Sequence, residues 1–540
     1  MLNSVEPMNK ARCLRVIRVL LFLLGVLQTG LTARSSSLDA IGVTVLRATT
    51  NVDGTGIRVA QPEAGAPGFE VDPTNPWVQQ PANLFTYLTS SGTTNNFPNS
   101  LGVDSPHADE VASNFYGLPA GIATNVAHVD NYDVNFFIQV SEQIIGLSTN
   151  YIVMLPSSNI DDPVVNQSFA FTGPTVAEQQ AIDSAYDNYA ARYNTLFVSA
   201  AGNAGPIGPP ATSYNGIGVG DYGGGSSFGP TLDNGRAKPD LTAPENYSSF
   251  STPEVSGAAA LLMQAGLRGD GGSDTNSPAD IRTVKALLLN GAIKPSDWTN
   301  TPPSPLDPLY GAGVLNVFNS YKQLTGGKHG YIVASAVPLG NPHPPTGTGG
   351  TIVALSGWDF NTITSSPASD EINHYYFNVT NGSSNAAFTA TATLVWNRQL
   401  DKTNLNNLDL FLYDAVSSNL VAASTSVVDN VEHLWLPQLP QGRYDLQVLK
   451  NGGLNPASNT ETYALAFEFF SLSLKVTPAG TNVLLTWPIY PTGFTLNTTA
   501  SLTPPIAWNA LNTTSTATNG LNQVTWGVSN TSQFFRLQRP

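Results

Sequence analysis

Cysteine is all but missing: Cys13 is the only one in 540 residues. One thiol closes no intrachain disulfide and builds no Cys-based metal site. Charge is scarce too. Asp, Glu, Lys and Arg make up 11% of the chain, and the net charge of −15 leaves the few cations outnumbered. They form no dense Lys/Arg patch of the kind a phosphate backbone requires, which argues against a nucleic-acid partner. Histidine is rarer still: only His107 and His128 fall between residues 34 and 325.

What is present is apolar mass and small polar residues. A hydrophobic content of 41% is ample for globular folding, and a chain this long is expected to divide into roughly two to four domains. Lys10, Arg12, Arg15 and Arg18 precede the apolar run "VLLFLLGVL" and the polar "QTGLTA". This pattern reads as a signal peptide over residues 1–33, ending at Ala33, because the run is short for a membrane span. Its removal takes the net charge to −18 and removes Cys13. The expected product is secreted, with no membrane anchor after cleavage.

Residues 34–325 alternate between short apolar runs and helical patterns. "IRVA", "YIVMLP", "PVVNQSFAF" and "TLFVSAAGN" read as strands; "TVAEQQAIDSAYDNYAARY", "TPEVSGAAALLMQAG" (opened by Thr252–Pro253) and "PADIRTVKALLLNGA" read as helices. Such alternation predicts an α/β domain, a parallel sheet with helices on both faces. Residues 79–104, rich in Asn, Thr, Ser and Gly, are expected to form a long surface loop. After a linker at 326–350 the helical signals vanish. Alternating strands over 351–471 predict a β-sandwich or jelly roll, and 472–540 a small all-β domain.

Active sites of parallel sheets lie at the carboxyl ends of the strands. Three segments offer chemistry there. "SPHADEVAS" places His107 at a helix start, where an imidazole could also be merely a cap. "SAAGNAGP" places Asn203 on a Gly-flanked turn, a common site for Asn on conformational grounds alone. "NYSSFSTPEVSGAAALL" places Ser249 at the mouth of a very apolar helix, where serine often serves as an N-cap. Each signal is weak alone.

Together, in this order, the segments resemble the subtilisin-like serine proteases (subtilases). "SPHADEVAS" is similar to the family's H-G-T-H-V-A-G, "SAAGNAGP" to A-A-G-N, "RAKPDLTAP" to K-P-D-x-x-A-P, "SSFSTPEVSGAAALL" to G-T-S-M-A-T-P-H-V-A-G-A-A-A-L-L, and "LYGAGVLNVFNSY" to the closing G-Y-G-x-V-N-A. The resemblance implies that His107 is the catalytic base, Ser249 (four residues before Pro253) the nucleophile and Asn203 the oxyanion donor. "VVNQSFAF" resembles the substrate-binding strand, with Ser168, Phe169 and Ala170 at its end. "VAQPEAG" stands where the family has V-A-V-I-D-T-G, so Glu63 takes the place of the catalytic Asp, ahead of Asp53, Asp72 and Asp104. A glutamate can orient and balance a catalytic histidine as aspartate does. Departures are Glu110, Tyr247, Phe250 and Glu254 at other motif positions, and a short connection from Pro244 to Ser249.

The implied activity is that of a secreted serine endopeptidase acting on protein or peptide substrates, expected to be a monomer, with no cofactor needed for the chemistry. The sandwich resembles pre-peptidase C-terminal and P-type modules; Asp409, Asp414, Asp429 and Glu432 are candidates for structural Ca2+, or equally turn and surface carboxylates. Trp487, Trp508 and Trp526 in the last domain suit core packing or a carbohydrate-binding face. The alternative is an inactive subtilase scaffold whose β-domains mediate adhesion or polymer binding.

Overall fold

The computed structural model describes residues 37–64, 68–145, 148–223, 225–340, 342–347, 349–380, 387–453, 456–488, 494–511, 513, 515–518, 521–527 and 532–538. The signal-like residues 1–33, Cys13 among them, lie outside these. Helix α1 (Val43–Thr49) leads into strand β1 (Arg58–Glu63), followed by β2 (Phe85–Thr89), β3 (Gly92–Thr94), α2 (Pro106–Phe115), β4 (His128–Asp133) and a single turn, α3 (Val134–Phe137). Then come β5 (Gln139–Ile145), β6 (Ser148–Met154), β7 (Val164–Gln167), α4 (Val176–Tyr193), β8 (Leu196–Ala200), β9 (Ile217–Asp221) and β10 (Leu241–Ala243). Three helices close the domain: α5 (Ser248–Arg268), α6 (Ile281–Gly291) and α7 (Val317–Thr325).

Eight strands form one sheet in the order β10-β9-β8-β7-β1-β4-β2-β3. All neighbours run parallel except the β2–β3 pair. The expected α/β architecture is therefore present. Its carboxyl edge brings the ends of β1, β7 and β8 side by side.

Three expectations are corrected. Residues 79–104 are not wholly loop: β2 and β3 belong to the main sheet, with Phe85 and Tyr87 fully buried between half-exposed Thr86 and Leu88. A five-residue alternation inside a polar, Gly-containing stretch is short enough to be hidden by its surroundings. The "YIVMLP" run is a strand, but among the described residues β5 and β6 pair only with each other, in a separate ribbon. Helix α5 begins at Ser248, four residues before the expected Thr252, and contains Pro253. Proline is tolerated there because the Ser249 carbonyl, which its missing N–H would have served, finds another donor in Ser168 Oγ.

Helix α5 is buried over nearly its whole length, Val255, Ala258, Leu261 and Leu262 being fully covered. A helix apolar on all faces belongs in a core. It lies against the sheet with α2 beside it. Gly257 permits this approach: a Cβ there would come within 2.6 Å of Ile122 Cβ.

The second region begins within the stretch expected to be linker. β11 (Val333–Pro338) joins a five-stranded antiparallel sheet with β13 (Ser369–Val379), β18 (Gly442–Lys450), β15 (Leu408–Asp414) and β16 (Leu420–Ser424). The facing sheet holds β12 (Ser356–Thr364), β19 (Thr460–Phe470), β14 (Phe388–Trp396) and β17 (Val431–Leu439). This is the expected sandwich. A third unit contains a four-stranded and a three-stranded sheet over residues 475–538. In it Trp487 is buried in a small core, Trp526 packs against that core, and the Arg536 guanidinium covers Trp508.

The first two units share one hydrophobic cluster. Trp358, Val395, Val431, Ala464 and Ala466 of the sandwich join Val284, Leu287 and Leu288 of α6 in it. Polar contacts follow the same seam. Asn290 Oδ1 accepts from the hydroxyls of Thr391 and Thr393 (2.8 and 2.9 Å), and Asp187 pairs with Arg398 at 2.7 Å.

Candidate active site

β1 ends in a buried polar sequence, Gln61-Pro62-Glu63, and Glu63 is 1% exposed. Its Oε2 accepts from His107 Nδ1 at 2.9 Å. Because a carboxylate only accepts, that bond sets the tautomer and leaves Nε2 as the imidazole's proton acceptor. His107 is the second residue of α2, whose start is fixed by Ser105 capping Ala108 N–H and by Pro106. Burial by itself would push the imidazole pKa down. The charge and hydrogen bond of Glu63, with a smaller contribution from Glu110, outweigh it and hold His107 above its ordinary value.

The rival acids are engaged elsewhere. Asp53 caps the turn at Thr55 and binds Asn125, Asp72 caps the turn at Thr74, and Asp104 is held by main-chain pairing with Glu70 in an isolated β-bridge. His128 opens β4, at the opposite end of the sheet, and binds Thr86 and Asp130. Among the described residues, then, Glu63 is the carboxylate hydrogen-bonded to His107.

The mouth of α5 faces this pair. The Phe250 ring lies 5.8 Å from the imidazole, centroid to centroid. Ser249, the second residue of α5, is half-buried, and its N–H belongs to the first turn, where donors lack intrahelical acceptors. Its Oγ donates to Ser168 O at 3.2 Å. No hydrogen bond joins Ser249 to His107 among the described residues. The carbonyl of Ser249 would normally accept from the N–H four residues on, but that residue is Pro253. Ser168 Oγ takes the place of the missing donor at 2.7 Å.

Asn203 follows β8 through Gly202, whose φ of +101° favours glycine and whose added Cβ would lie 2.9 Å from Ser227 Oγ. Asn203 Oδ1 accepts from both the N–H and the hydroxyl of Ser248, at 2.9 and 2.8 Å. A backbone N–H can only donate, so the amide oxygen must face α5 and Nδ2 is left for other partners. Ser168 also accepts from Asn166. Phe169 turns its ring into the core and packs edge-on to Phe171, while Ala170 is half-exposed.

The structure thus gathers Glu63, His107, Ser168, Asn203 and Ser249 at one edge of the sheet. Sequence reading did not single out Gln61, Tyr116 or Ser248, although Gln61 bonds to Glu63, Ser248 to Asn203, and Tyr116 to Gln61. Gln61 was detectable in principle: it lies two residues before Glu63, so both side chains leave the same face of β1.

The four carboxylates considered for Ca2+ all bind protein donors. Asp409 accepts from Asn451, Asp414 from the N–H groups of Val416 and Ser417, Asp429 from Ala237 N–H and Ser426, and Glu432 from Ser426 N–H and Ser424. Among the described residues no three His, Cys, Asp or Glu side chains are placed to share a metal ion.

Residues 139–313 match the model of the subtilase family, a stretch that includes Ser168, Asn203 and Ser249 but begins after Glu63 and His107. Among solved structures, the chain is similar to the prenylagaramide maturation protease PagA (22% identity, 53% of this chain and 99% of that one, TM-score 0.34). It is also similar to a protease of Pseudoalteromonas arctica (17%, 53% and 95%, 0.35) and to the Aeromonas sobria serine protease solved with its chaperone (14%, 91% and 89%, 0.34). The family match supports a serine-type peptidase. The N-terminal domain thus has a subtilisin-like α/β fold with a parallel sheet, its residues 139–313 match the subtilase family's model, and antiparallel β-domains follow.

Proposed function

We propose that the chain is a secreted serine endopeptidase using Glu63, His107 and Ser249 as its triad. The observation that carries this reading is the 2.9 Å Glu63–His107 bond, made beside the start of the helix bearing Ser249. In this mechanism Ser249 Oγ leaves the Ser168 carbonyl for His107 Nε2, a contact that commonly tightens only when substrate is bound. The oxygen then attacks the scissile carbonyl carbon as its proton passes to Nε2. The Glu63 carboxylate balances the imidazolium. Asn203 Nδ2–H and the Ser249 N–H donate to the oxyanion. His107 returns the proton to the leaving amine, and water releases the acyl group by the same steps in reverse order.

The peptide substrate would lie along the Ser168–Ala170 edge. Secretion rests on the N-terminal sequence pattern, and N-terminal sequencing of protein recovered from the medium tests it. The inactive-scaffold alternative draws on one feature, the Ser249 hydroxyl turned to Ser168. Labelling with a fluorophosphonate separates the two readings. The expected result is labelling of the wild type and none of Ser249→Ala or His107→Ala. A folded wild type that does not label would overturn the peptidase reading.

A further inference from the structure

Gln61 is a fully buried amide with three partners. Its Nε2 donates to Glu63 Oε1 at 2.9 Å and to the carbonyl of Ala108 at 3.0 Å, and its Oε1 accepts from Tyr116 O–H at 2.5 Å. The orientation is unambiguous, since a carboxylate and a carbonyl can only accept and both must face the NH2 group. Tyr116, also fully buried, follows α2 directly.

The placement of these partners is what matters. Glu63 Oε2 holds His107, and the Ala108 carbonyl belongs to the residue next to His107. One amide therefore grips the acid on β1 and the backbone beside the base on α2. Glutamate has one more rotatable bond than aspartate, so a free Glu63 carboxylate would sample more orientations toward the imidazole. The hydrogen bond to Oε1 selects one of them, and the Tyr116 hydroxyl in turn fixes the amide.

We propose that Gln61, braced by Tyr116, is a positioning residue that holds the Glu63 carboxylate on His107 Nδ1. The proposal rests on the peptidase reading only for its effect on rate. The hold on His107 exists whether or not Ser249 reacts. The charged groups that act on the imidazole are Glu63 from β1 and Glu110 from α2 itself; α5 presents the apolar Phe250 ring.

The test uses the full chain and the variants Gln61→Leu and Tyr116→Phe, the second removing a single hydroxyl at nearly constant volume. Side-chain NMR follows the His107 titration and its Nδ1 proton, and peptide hydrolysis gives kcat and KM. In Gln61→Leu the His107 pKa is expected to fall, because burial is then less well opposed by Glu63, and the Nδ1 proton is expected to exchange faster. The kcat is expected to drop roughly 10- to 100-fold with KM nearly unchanged, as a small misplacement of a catalytic group does. Tyr116→Phe should move each readout the same way by less, and it decides the matter if Gln61→Leu does not fold. An unmoved His107 pKa and Nδ1 proton would overturn the proposal. So would a rise in pKa, which would mean that Gln61 only dilutes the carboxylate charge. If the wild type does not label with fluorophosphonate, the peptidase reading fails, while the His107 titration still tests the positioning.

Discussion

Ser168 and Ser249 are bound to each other twice, each hydroxyl donating to the other's carbonyl, at 2.7 Å from Ser168 and 3.2 Å from Ser249. The first bond exists because Pro253 has no N–H to offer the Ser249 carbonyl. The end of β7 and the start of α5 are thereby tied together at the residue expected to react.

Ser168→Ala should therefore do more than trim a loop. It leaves the Ser249 carbonyl without its donor and should cost about 1–3 kcal/mol of stability. On the peptidase reading it should also lower kcat more than it changes KM. Thermal unfolding and steady-state kinetics on a peptide check both. Unchanged stability would mean that solvent replaces the hydroxyl.

On the peptidase reading, Asn203→Ala should reduce kcat by roughly 10²–10³ with little change in KM, since its amide would donate to charge that develops only in the transition state. Ser248→Ala should have a smaller effect in the same direction. It removes one of two bonds to Asn203 Oδ1, and the Ser248 N–H remains to orient the amide.

The pH profile carries a sign. On the peptidase reading, hydrolysis requires neutral His107, whose pKa is held above the ordinary 6.5 because Glu63 outweighs the opposing effect of burial. Activity should accordingly rise with pH along a limb centred above 6.5. Glu63→Gln keeps the shape but removes the charge. Its acid limb should move to lower pH, and its kcat should fall by as much as ~10⁴-fold through loss of the tautomer and of imidazolium stabilisation. An acid limb that stays in place would show that Glu63 does not govern His107.

The interdomain seam should respond to pH as well. Burial pushes the Asp429 carboxyl up to about 6, against the bonds from Ser426 and Ala237 and the charges of Arg236 and Lys238. A carboxyl with a folded pKa above its unfolded value holds its proton more tightly in the folded chain. The stability it contributes is present below its ordinary value of 3.8 and is lost as pH rises through about 6. Asp429→Asn cannot titrate. Compared with wild type, it should gain relative stability as pH rises from about 4 to about 6, read as the difference between the two thermal midpoints.

The sheet, its long helices and the sandwich were legible because each element carries a period long enough to read, as in α4 and in the strands from Phe388 to Trp396. The strand at Phe85–Thr89 was not, because five residues within a polar stretch give too little signal. The start of α5 was misplaced because Pro253 looks like a first-turn proline. In the structure it is the sixth helical residue, and its missing hydrogen bond is supplied by a serine 85 positions earlier. Glu63, His107, Asn203 and Ser249 could be nominated from motifs in order along the chain. Gln61, Tyr116 and Ser248 could not, since their part is defined by which atoms they face, and facing is a property of packing.

The cluster shared by α6 and the sandwich makes the junction a matter of packing rather than of tether. Residues 328 and 330–332 between the two units are exposed, yet a peptide bond broken there would leave the shared hydrophobic cluster and the Asn290–Thr391–Thr393 contacts in place. The two pieces would stay together as one particle. Such a seam would make a cut in this exposed stretch a harmless scar.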